Sequence, residues 1–585
     1  MRNFTLLLMF SFLPLWGVTW PITVSSNRRY FQDSAGVPFI MNFDVAHAII
    51  GGVCPSTSAS GCSGATTTWA NYFSSRQGYG FNGTQIWATT LKFSSNGQSK
   101  DGQLPFTSGT GPSTYDLSTP NATYWAEISA FVSQAASAGM IVAIDPLPGQ
   151  LYDCNSGGCE ETGSAPTFAN NGATKVTNFG AYIGNLLKGY SNVMYYIGDD
   201  CGTFSTNSSG PNSSYCNMSL EADLVSGILS ADSTHLISFE GSWYYSYQNQ
   251  YWSWAGASPQ LSAITGISSV WSDLLYSYYE SYGIAKAAYA SSPTSPCFMG
   301  EAYYEGSTDD GLSPAATTFI LREQAWWTFL SGCYGYQWGN ASVNHNDGSY
   351  PGSLTSAGAA EANILPALMQ NYKWWTLAPD SSNSILTSGF GTSAPSNIDL
   401  YTANYASGAF DGSTNGTGTI GFVYVPGGTN GTVSPVVNMA HFANPVVAQW
   451  FDPSNAKYTS ISGSPFANSA SHTFTTPGSN HDGNNDWVLV LQAAAIPTIS
   501  SFTASPSSIP LGQSSTLSWN VSGAATLSIS GVGVVSGTSV TVSPTVTTTY
   551  TLTATNNAGS ATAAATVTVT SLGPAPPTDL TAVAH

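Results

Sequence analysis

The chain has 585 residues, which is too many for one hydrophobic core, so several domains are expected. Charged residues make up only 7% and aromatic residues 13%, and the net charge is −19 with just 12 Lys and Arg. This balance argues against nucleic acid or an anionic membrane surface as a partner, because both require a basic face. An acidic chain rich in Trp, Tyr and Asn instead suits uncharged sugars, whose apolar ring faces stack on aromatic side chains.

The N-terminus, residues 1–20, is predicted to be a signal peptide. Arg2 precedes an apolar run, FTLLLMFSFLPLWGV, at residues 4–18. Pro14 and the short length argue against a stable membrane span. Cleavage is expected near residues 18–22, although Trp20 stands where a small residue is preferred. The remaining chain is therefore expected to be secreted, extracellular and free of membrane insertion.

Eight cysteines favour an oxidising compartment. Six fall in close pairs that each close a Gly/Ser-rich loop, which predicts three local disulfides: Cys54 with Cys62, Cys154 with Cys159, and Cys201 with Cys216. Zinc is the rival interpretation, but no pair has CxxC spacing and no His lies close by. The other two, Cys297 and Cys333, lie on strands predicted to be neighbours, so they either pair or remain buried thiols.

Residues 21–379 alternate short apolar runs with amphipathic segments. The predicted strands are 38–43, 80–87, 140–145, 192–197, 235–239, 268–274, 297–300 and 332–338. Residues 126–138, 176–187 and 314–330 have helical spacing of apolar residues. Eight strand–helix repeats predict an α/β fold, a (β/α)8 TIM barrel. A doubly wound open sheet is the main alternative, but no GxGxxG follows the first strand.

The pattern changes at residue 380. Residues 380–494 show short β runs separated by Gly, Asn and Pro turns, which predicts a small β-sandwich. Residues 495–571 are rich in Ser, Thr and Val and predict an immunoglobulin-like sandwich with Trp519 in its core. Residues 572–585 read as a Pro-rich linker and the truncated start of a fibronectin III-like module. These modules are expected to position the barrel on a polysaccharide or a surface.

Two strand ends carry acids. NVMYYIGDD is predicted to stop on Gly198 and to deliver Asp199 and Asp200 into a turn; SPCFMGE ends on Glu301. Chemistry in a barrel lies at the C-terminal strand ends, and a glycosidase needs two acids, one to protonate the leaving oxygen and one to attack or to activate water. An Asp after a strand is also commonly a turn residue, so the pattern alone leaves both interpretations open.

Residues 28–495 resemble the apiosidase-like glycoside hydrolases, a catalytic barrel followed by a small collagen-binding-type β domain. The matching motifs, in order, are PFIMNFDVAH, GFNGTQIW, SNVMYYIGDD, CFMGEAYYEG, REQAWWTFLSGCYGYQWG and KWWTLAPD, and then FVYVPGG, QWFDP and DWVLVL. No single motif is specific; their number and order carry the resemblance.

The resemblance implies a retaining mechanism, with Asp200 as general acid/base after strand four and Glu301 as nucleophile after strand seven. The sequence departs from the family pattern at two places. Asp199 replaces a glycine and so competes with Asp200 for the acid role, and Glu240 stands where relatives place a His. Because of the second departure, the resemblance does not determine which sugar the enzyme binds.

Further residues at the strand ends are expected to contact substrate: Asp44, His47, Trp87, Asp145, Asp199, Glu240, Tyr303 and Trp338. Structural alternatives are a helix cap for Asp44, a structural role for His47 and barrel filling for the two tryptophans. Glu305 is predicted to secure the loop after Glu301. No cofactor or metal is expected, since HExxH, Walker and GxSxG motifs are absent from the sequence.

The predicted function is a glycoside hydrolase acting on plant or microbial polysaccharide. The alternative is a non-catalytic carbohydrate- or matrix-binding protein on a degenerate barrel. Release of reducing sugar, as opposed to retention on insoluble polymer alone, distinguishes the two.

Overall fold

The computed structural model describes residues 18–93, 96–152, 166–201, 203–204, 213–214, 217–241, 267–271, 281–290, 294–308, 315–347, 349–390, 405–427, 434–556 and 558–571. It begins with a three-stranded antiparallel sheet: β1 (Thr23–Val24), β2 (Phe31–Gln32) and β3 (Pro38–Phe39). The aromatic residues of this sheet pack against the interior of the following barrel, with Phe31 lying 6.4 Å from Phe298. The sheet therefore caps the N-terminal end of the barrel.

This cap already includes the residues around the expected cleavage site. Val18 and Trp20 pack against the apolar cluster of the cap. The Thr19 hydroxyl donates to Asp33 Oδ2 at 2.8 Å. Cleavage after Trp20 would remove these contacts, whereas cleavage before Val18 would keep them. The rest of the predicted signal peptide, residues 1–17, lies outside the described residues.

Eight parallel strands form a closed barrel. They are β4 (Met41–Val45), β5 (Gly83–Trp87), β6 (Ile141–Asp145), β7 (Val193–Cys201), β10 (Ile237–Gly241), β11 (Ile267–Trp271), β12 (Cys297–Glu301) and β14 (Gly335–Asn340). Three short strands accompany them: β8 (Thr203–Phe204), β9 (Ser213–Ser214) and β13 (Tyr304–Glu305). Pairing of β14 with both β12 and β4 closes the ring, which confirms the predicted barrel.

The barrel interior is filled by side chains from alternate strand positions, among them Phe43, Tyr196 and Phe298. Glycine makes room for them. A Cβ on Gly83 would lie 2.2 Å from the Phe43 ring, and one on Gly335 would lie 2.7 Å from Met41 Cβ. Inward and outward positions can thus be told apart on each strand, which decides where the candidate site residues point.

The helices form the outer layer. They are α1 (Ile49–Gly52), α2 (Trp69–Gly78), α3 (Ala122–Ser137), α4 (Gly149–Tyr152), α5 (Thr167–Leu187), α6 (Met218–Ala231), α7 (Ser281–Tyr289), α8 (Thr318–Leu330), α9 (Ala341–His345), α10 (Tyr350–Ser353), α11 (Ala357–Glu361) and α12 (Ile364–Met369). The three predicted helices correspond to α3, α5 and α8; α3 and α5 start earlier than predicted, at Ala122 instead of residue 126 and at Thr167 instead of residue 176, and α8 starts later, at Thr318 instead of residue 314. In the part of the chain that the structure describes, no helix has the length and apolar character needed to cross a bilayer.

The next region consists of antiparallel sheets of six and three strands. Its strands are β15 (Ala378–Pro379), β16 (Leu386–Ser388), β17 (Ser407–Phe410), β18 (Ile420–Val425), β19 (Val436–Asn438), β20 (Val446–Asp452), β21 (Lys457–Ser460), β22 (Ser471–Thr473) and β23 (Trp487–Ala493). The larger sheet packs on α8: Tyr424 stacks on Trp326, with ring centroids 6.1 Å apart. This β domain therefore shares an apolar cluster with the barrel.

The last region is a second β-sandwich, as predicted, with antiparallel strand pairs except for the parallel pair of β25 and β31. Its strands are β24 (Thr498–Ser505), β25 (Ser508–Pro510), β26 (Ser515–Ser522), β27 (Thr526–Ile529), β28 (Gly533–Val535), β29 (Ser539–Val542), β30 (Thr548–Asn556) and β31 (Gly559–Thr570). Trp519 lies in its core and donates from Nε1 to Gly537 O at 2.9 Å. Residues 572–585 lie outside the described residues.

Two disulfides are present among the described cysteines. The first joins Cys54 to Cys62, which confirms the pairing predicted from their spacing. The second joins Cys297 to Cys333 and so links β12 to the segment before β14. This bond resolves the alternative that the sequence left open for the last two cysteines.

The other two predicted disulfides are not tested by the described residues. Cys154 and Cys159 both lie in the segment 153–165, outside the described part of the chain. Cys201 ends β7, but neither its side chain nor Cys216 is described. The bond between Cys154 and Cys159 and the bond between Cys201 and Cys216 therefore stay predictions.

Candidate active site

The end of β7 differs from the sequence prediction. The strand does not stop at Gly198 but continues to Cys201. Ile197 pairs with Phe239 and Cys201 pairs with Gly241, so three residues of β7 lie opposite one residue of β10. Gly198 has φ 110°, a conformation that favours glycine. Asp199 and Asp200 therefore belong to a bulged strand end and not to a turn, and bulges of this kind re-aim side chains next to active sites.

The end of β12 has a similar irregularity. Met299 pairs with Val270 and Glu301 pairs with Trp271, so Gly300 is left over as a bulge. Because β7 and β12 belong to one closed parallel sheet, their C-terminal ends lie on the same rim of the barrel. The backbone thus brings positions 200 and 301 to one end of the molecule. The side chains of Asp199, Asp200 and Glu240 lie outside the described part.

Glu301 is half-buried and faces the barrel mouth. Its Oε1 accepts a hydrogen bond from the Tyr304 hydroxyl. Tyr304 pairs with Gly339 of β14. A Cβ on Gly339 would lie 2.2 Å from Cδ1 of the Tyr304 ring, so the ring occupies the space that a side chain at position 339 would need. Gly339 lies on the same strand face as Gln337, which reaches across the barrel interior to Gln85. The carboxylate of Glu301 is therefore held on the inner side of the rim.

Beside it, a chain of uncharged polar side chains crosses the mouth. Gln337 Nε2 donates to Gln85 Oε1, and the Gln85 amide nitrogen lies 3.0 Å from His47 Nε2. Burial, together with nearby His345, holds the pKa of His47 well below its ordinary value. His47 is consequently a neutral imidazole at neutral pH, and the Gln85 contact assigns Nε2 as the acceptor.

The rings of His47 and Trp87 stack, with centroids 4.3 Å apart and planes 9° apart. The His47 ring thus covers one face of the indole, so only the other face of Trp87 is left for the sugar stacking that the sequence predicts. The Trp87 Nε1 donor is buried and has no hydrogen-bond partner in the described ranges. Asp145 is fully buried at the end of β6, and its Oδ1 accepts from Leu147 N at 3.1 Å.

Asp44 and Trp338 point away from the mouth. Asp44 Oδ2 accepts from Arg76 Nε and from the Tyr72 hydroxyl, both at 2.7 Å and both on α2. Burial raises the pKa of Asp44, and Arg76 opposes this rise. Trp338 lies under α8 and α12, in contact with Tyr336. These placements favour the structural alternatives: Asp44 anchors α2, and Trp338 packs between barrel and helices. The substrate contacts expected of Asp44 and Trp338 stay predictions.

Of the two tyrosines after Glu301, the sequence predicts a substrate contact for Tyr303, which stays a prediction, and does not single out Tyr304. Tyr303 is 1% exposed, and its backbone N–H donates to Gln324 Oε1 of α8 at 3.1 Å. Tyr304 contacts Glu301. Gln85 and Gln337 were also missed. The alternation of β5 and β14 was the signal for them, because both are polar residues at inward positions of buried strands.

Glu305 secures the loop after Glu301, as the sequence predicted. Asn340 Nδ2 donates to Glu305 Oε2 at 3.1 Å, and Gly358 N donates to Oε1 at 2.9 Å. The same carboxylate therefore ties β13 to β14 and to the first turn of α11.

Known families and structures agree with this geometry. The family model described as "Apiosidase-like, catalytic domain" matches residues 25–376, and "Putative collagen-binding domain of a collagenase" matches residues 413–492. No curated protein matches the chain. A solved structure named "Glycoside hydrolase" is 16% identical with a TM-score of 0.60, covering 81% of this chain and 97% of its own.

A glycoside hydrolase family 5 protein from Bacteroides vulgatus ATCC 8482 is also 16% identical, with a TM-score of 0.59 and coverage of 80% of this chain and 93% of that chain. At this identity the likeness shows a shared fold. The catalytic-domain model, in contrast, spans more than half of the chain. The chain therefore belongs to the apiosidase-like family, on a glycoside hydrolase fold.

Proposed function

We propose that the protein is a secreted retaining glycoside hydrolase that cleaves glycosidic bonds in plant or microbial polysaccharide. The observation that supports this most is the setting of Glu301: a half-buried carboxylate on the inner side of the rim, held by Tyr304. Asp200 lies on β7, the strand that the family pattern assigns to the acid, one residue before its end at Cys201 and on the same rim. Glu301 is the proposed nucleophile and Asp200 the proposed acid/base.

The proposed reaction has two steps. In the first, Asp200 protonates the oxygen of the leaving group while Glu301 attacks the anomeric carbon, so that a glycosyl ester of Glu301 forms. In the second, Asp200 takes a proton from water as the water displaces Glu301, and the anomeric configuration is retained. The mechanism requires the two carboxyl groups to lie about 5–5.5 Å apart.

The polar groups of the mouth favour an uncharged sugar. The described ones include neutral His47, two glutamine amides and the Trp87 N–H. Asp145, which pairs with Trp87 in the sheet, is a buried carboxylate whose Oδ1 accepts from Leu147 N. Amides and a neutral imidazole donate to and accept from hydroxyl groups without the cost of leaving a charge unpaired. Secretion is supported by the two described disulfides, Cys54–Cys62 and Cys297–Cys333, which are typical of oxidising compartments.

The test starts with reducing-sugar release from arabinan, rhamnogalacturonan, xylan, mannan and β-glucan. With the polymer that gives most release, Glu301→Gln is expected to lower kcat at least about a thousandfold while the circular dichroism spectrum and Tm are unchanged. Asp200→Asn should have a comparable effect. Asp199→Asn is the matched control, because it removes the adjacent charge, and it should change kcat less than about tenfold.

Each result has a clear meaning. Full turnover by Glu301→Gln would contradict the assignment of the nucleophile. A silent Asp200→Asn with an inactive Asp199→Asn would transfer the acid role to Asp199. Proton NMR of the first product anomer tests retention, and an inverted anomer would rule out the two-step mechanism. Binding to insoluble polymer without any release would favour the non-catalytic alternative.

A further inference from the structure

Tyr304 is the residue that contacts the carboxylate of Glu301 in the described part of the site. We propose that Tyr304 is a positioning residue for the nucleophile: its hydroxyl orients the Glu301 carboxylate for attack and favours its ionised form. This inference rests on the proposed function. It concerns a residue that the sequence motifs do not distinguish from its neighbour Tyr303, and that only the hydrogen bond from its hydroxyl to Glu301 Oε1 singles out.

The Tyr304 ring lies in a space that is free because Gly339 has no side chain. Tyr304 pairs with Gly339 in the β13–β14 ladder. A Cβ on Gly339 would lie 2.2 Å from Cδ1 and 2.7 Å from Cε1 of the ring, so no other residue fits there without moving the tyrosine. Gly339 continues an inward-facing row of β14 and has no positive φ. The glycine is therefore needed for space and not for backbone conformation.

The turn that carries the tyrosine is held at several further points. Ser307 N donates to Tyr304 O at 2.9 Å, and Gly306 N donates to Ala316 O at 2.9 Å. Glu305, the next residue, is bonded to Asn340 and to Gly358 N. Because the ring is 6% exposed and the backbone is fixed on both sides, the hydroxyl loses little further freedom when it holds Glu301. Such preorganisation is what a nucleophile needs for a near-attack geometry.

The hydrogen bond acts on both steps of the reaction. In the first, the fixed Oε1 sets the plane of the carboxylate while the bond between the anomeric carbon and a Glu301 oxygen forms and the bond to the leaving group breaks. In the second, that ester bond breaks and the charge returns to Glu301, where the donated O–H stabilises it. Tyr304 keeps its proton throughout. A hydrogen bond donated to the charged form of an acid favours ionisation, so its loss makes Glu301 harder to ionise.

The described titratable groups around this pair are few. His345 of α9 lies with its ring 6.5 Å from that of Tyr304, and it is also close to His47. Glu305 directs its carboxylate to Asn340 and Gly358 N. The acids Asp199, Asp200 and Glu240 belong to strand ends of the same rim, and their side chains lie outside the described part. A change in the acid limb of the pH profile that follows loss of the Tyr304 hydroxyl alone is expected from Glu301, because Glu301 is the carboxylate that this hydroxyl contacts.

The decisive variant is Tyr304→Phe, which removes one oxygen and keeps the ring on Gly339. On the polymer that the wild type hydrolyses fastest, kcat/KM should fall about 10- to 100-fold, the usual value of a hydrogen bond to a charged group. The acid limb of the kcat/KM profile should move to higher pH. Tyr336→Phe is the matched control: Tyr336 is also buried, lies on β14 and donates to Gln324 at 3.3 Å, away from Glu301. It should leave rate and profile unchanged.

Gly339→Ala tests the same idea without touching Tyr304. Its Cβ should displace the ring, lower kcat and shift the acid limb in the same direction. If this variant does not fold, Tyr304→Phe still decides the matter. Wild-type kcat and an unmoved acid limb in Tyr304→Phe, together with an inactive Glu301→Gln, would overturn the role of Tyr304 and leave the proposed function intact. An active Glu301→Gln would overturn both.

Discussion

Asp44 and Glu301 occupy corresponding places in the barrel. They lie at the C-terminal ends of β4 and β12, the two barrel strands that pair with β14. Asp44 is 1% exposed and turned outward to α2, where it forms an ion pair with Arg76 at 2.7 Å. Glu301 is half-buried, turned inward and contacted by a tyrosine hydroxyl. The charge of a carboxylate paired with a guanidinium is balanced by its partner. A carboxylate held by a neutral donor has no such counterion from that donor, so its charge remains available for a reaction.

The bulge explains why the two acids face opposite sides. β4 pairs regularly with both neighbours, so Asn42 and Asp44 share the outward face. In β12 the extra residue Gly300 breaks the alternation just before Glu301. A shift of one residue moves every following side chain to the other face of a sheet. In β12 the glycine before the acid therefore marks a change of face.

A buried carboxylate paired with an arginine, as at Asp44, also occurs at the interface between the barrel and the β domain. Arg322 of α8 is 2% exposed and bonds Asp486 with two nitrogens, at 2.8 and 2.9 Å. It also contacts Asp482 at 2.8 Å and Glu361 at 2.6 Å. Three carboxylates thus share one guanidinium in a chain that has only 12 Lys and Arg. Arg76 and Arg322, the two buried arginines in the described part of the chain, are thus both paired with buried acids.

Among the structural ion pairs, removal of Arg322 should lower the free energy of unfolding the most. Arg322→Met leaves Asp486, which is fully buried, without its cation, and breaking a buried pair costs about 3–5 kcal/mol. Urea denaturation followed by tryptophan fluorescence measures the loss. The control is Lys175→Met, which removes the exposed ion pair between Lys175 and Asp116, whose side chains are 42% and 31% exposed, and it should cost far less stability than Arg322→Met. Equal losses would contradict the structural role of Arg322.

Asp44→Asn sharpens the contrast with Glu301. It leaves the guanidinium of Arg76, 1% exposed, without a counterion, and should lower the free energy of unfolding by about 2–4 kcal/mol. The kcat of the folded fraction should stay within about threefold, since the side chain lies behind the strand. Glu301→Gln should do the reverse. A large loss of kcat with unchanged stability in Asp44→Asn would contradict the structural role of Asp44 and support its predicted contact with substrate.

Much of the fold was predictable because it depends on local patterns. Buried strands of about five residues, separated by amphipathic helices, identify the barrel, and Trp519 identifies the core of the last sandwich. The direction of a strand-end side chain was not predictable. Asp44 is the last residue but one of β4 and Asp145 is the last residue of β6, yet Asp44 faces α2 and Asp145 faces inward, and only the register of the closed sheet decides between the two directions.

Bulges and distant contacts account for the other differences. Gly198 resembles a strand stop in the sequence, but its positive φ allows the strand to continue to Cys201. Tyr303 and Tyr304 are indistinguishable until β13 pairs with β14. The cluster at Arg322 joins residues that are 39 to 164 positions apart, so it exists only once the β domain has docked on α8.

The smallest expected effect is a pH dependence at that cluster. Burial raises the pKa of Glu361 to about 7; Arg322 opposes the rise, and the charges of Asp482 and Asp486 add to it. Because one guanidinium faces three acids, the folded state keeps a proton on Glu361 that the unfolded chain releases near pH 4.5. Stability from this group is therefore full below about pH 4.5 and is lost as the pH rises through about 7. Asp482, whose pKa is lowered, titrates below this window.

Glu361→Gln should remove this dependence while keeping an acceptor for Arg322. The difference in unfolding free energy between variant and wild type should change by about 1–3 kcal/mol between pH 4.5 and 8, in favour of the variant at high pH. Urea denaturation at several pH values measures it. Glu305→Gln is the matched control, since Glu305 bonds only uncharged donors among its described contacts, Asn340 and Gly358 N. If the Glu361→Gln difference is constant across the range, Glu361 is ionised in the fold and the three acids share Arg322 as anions.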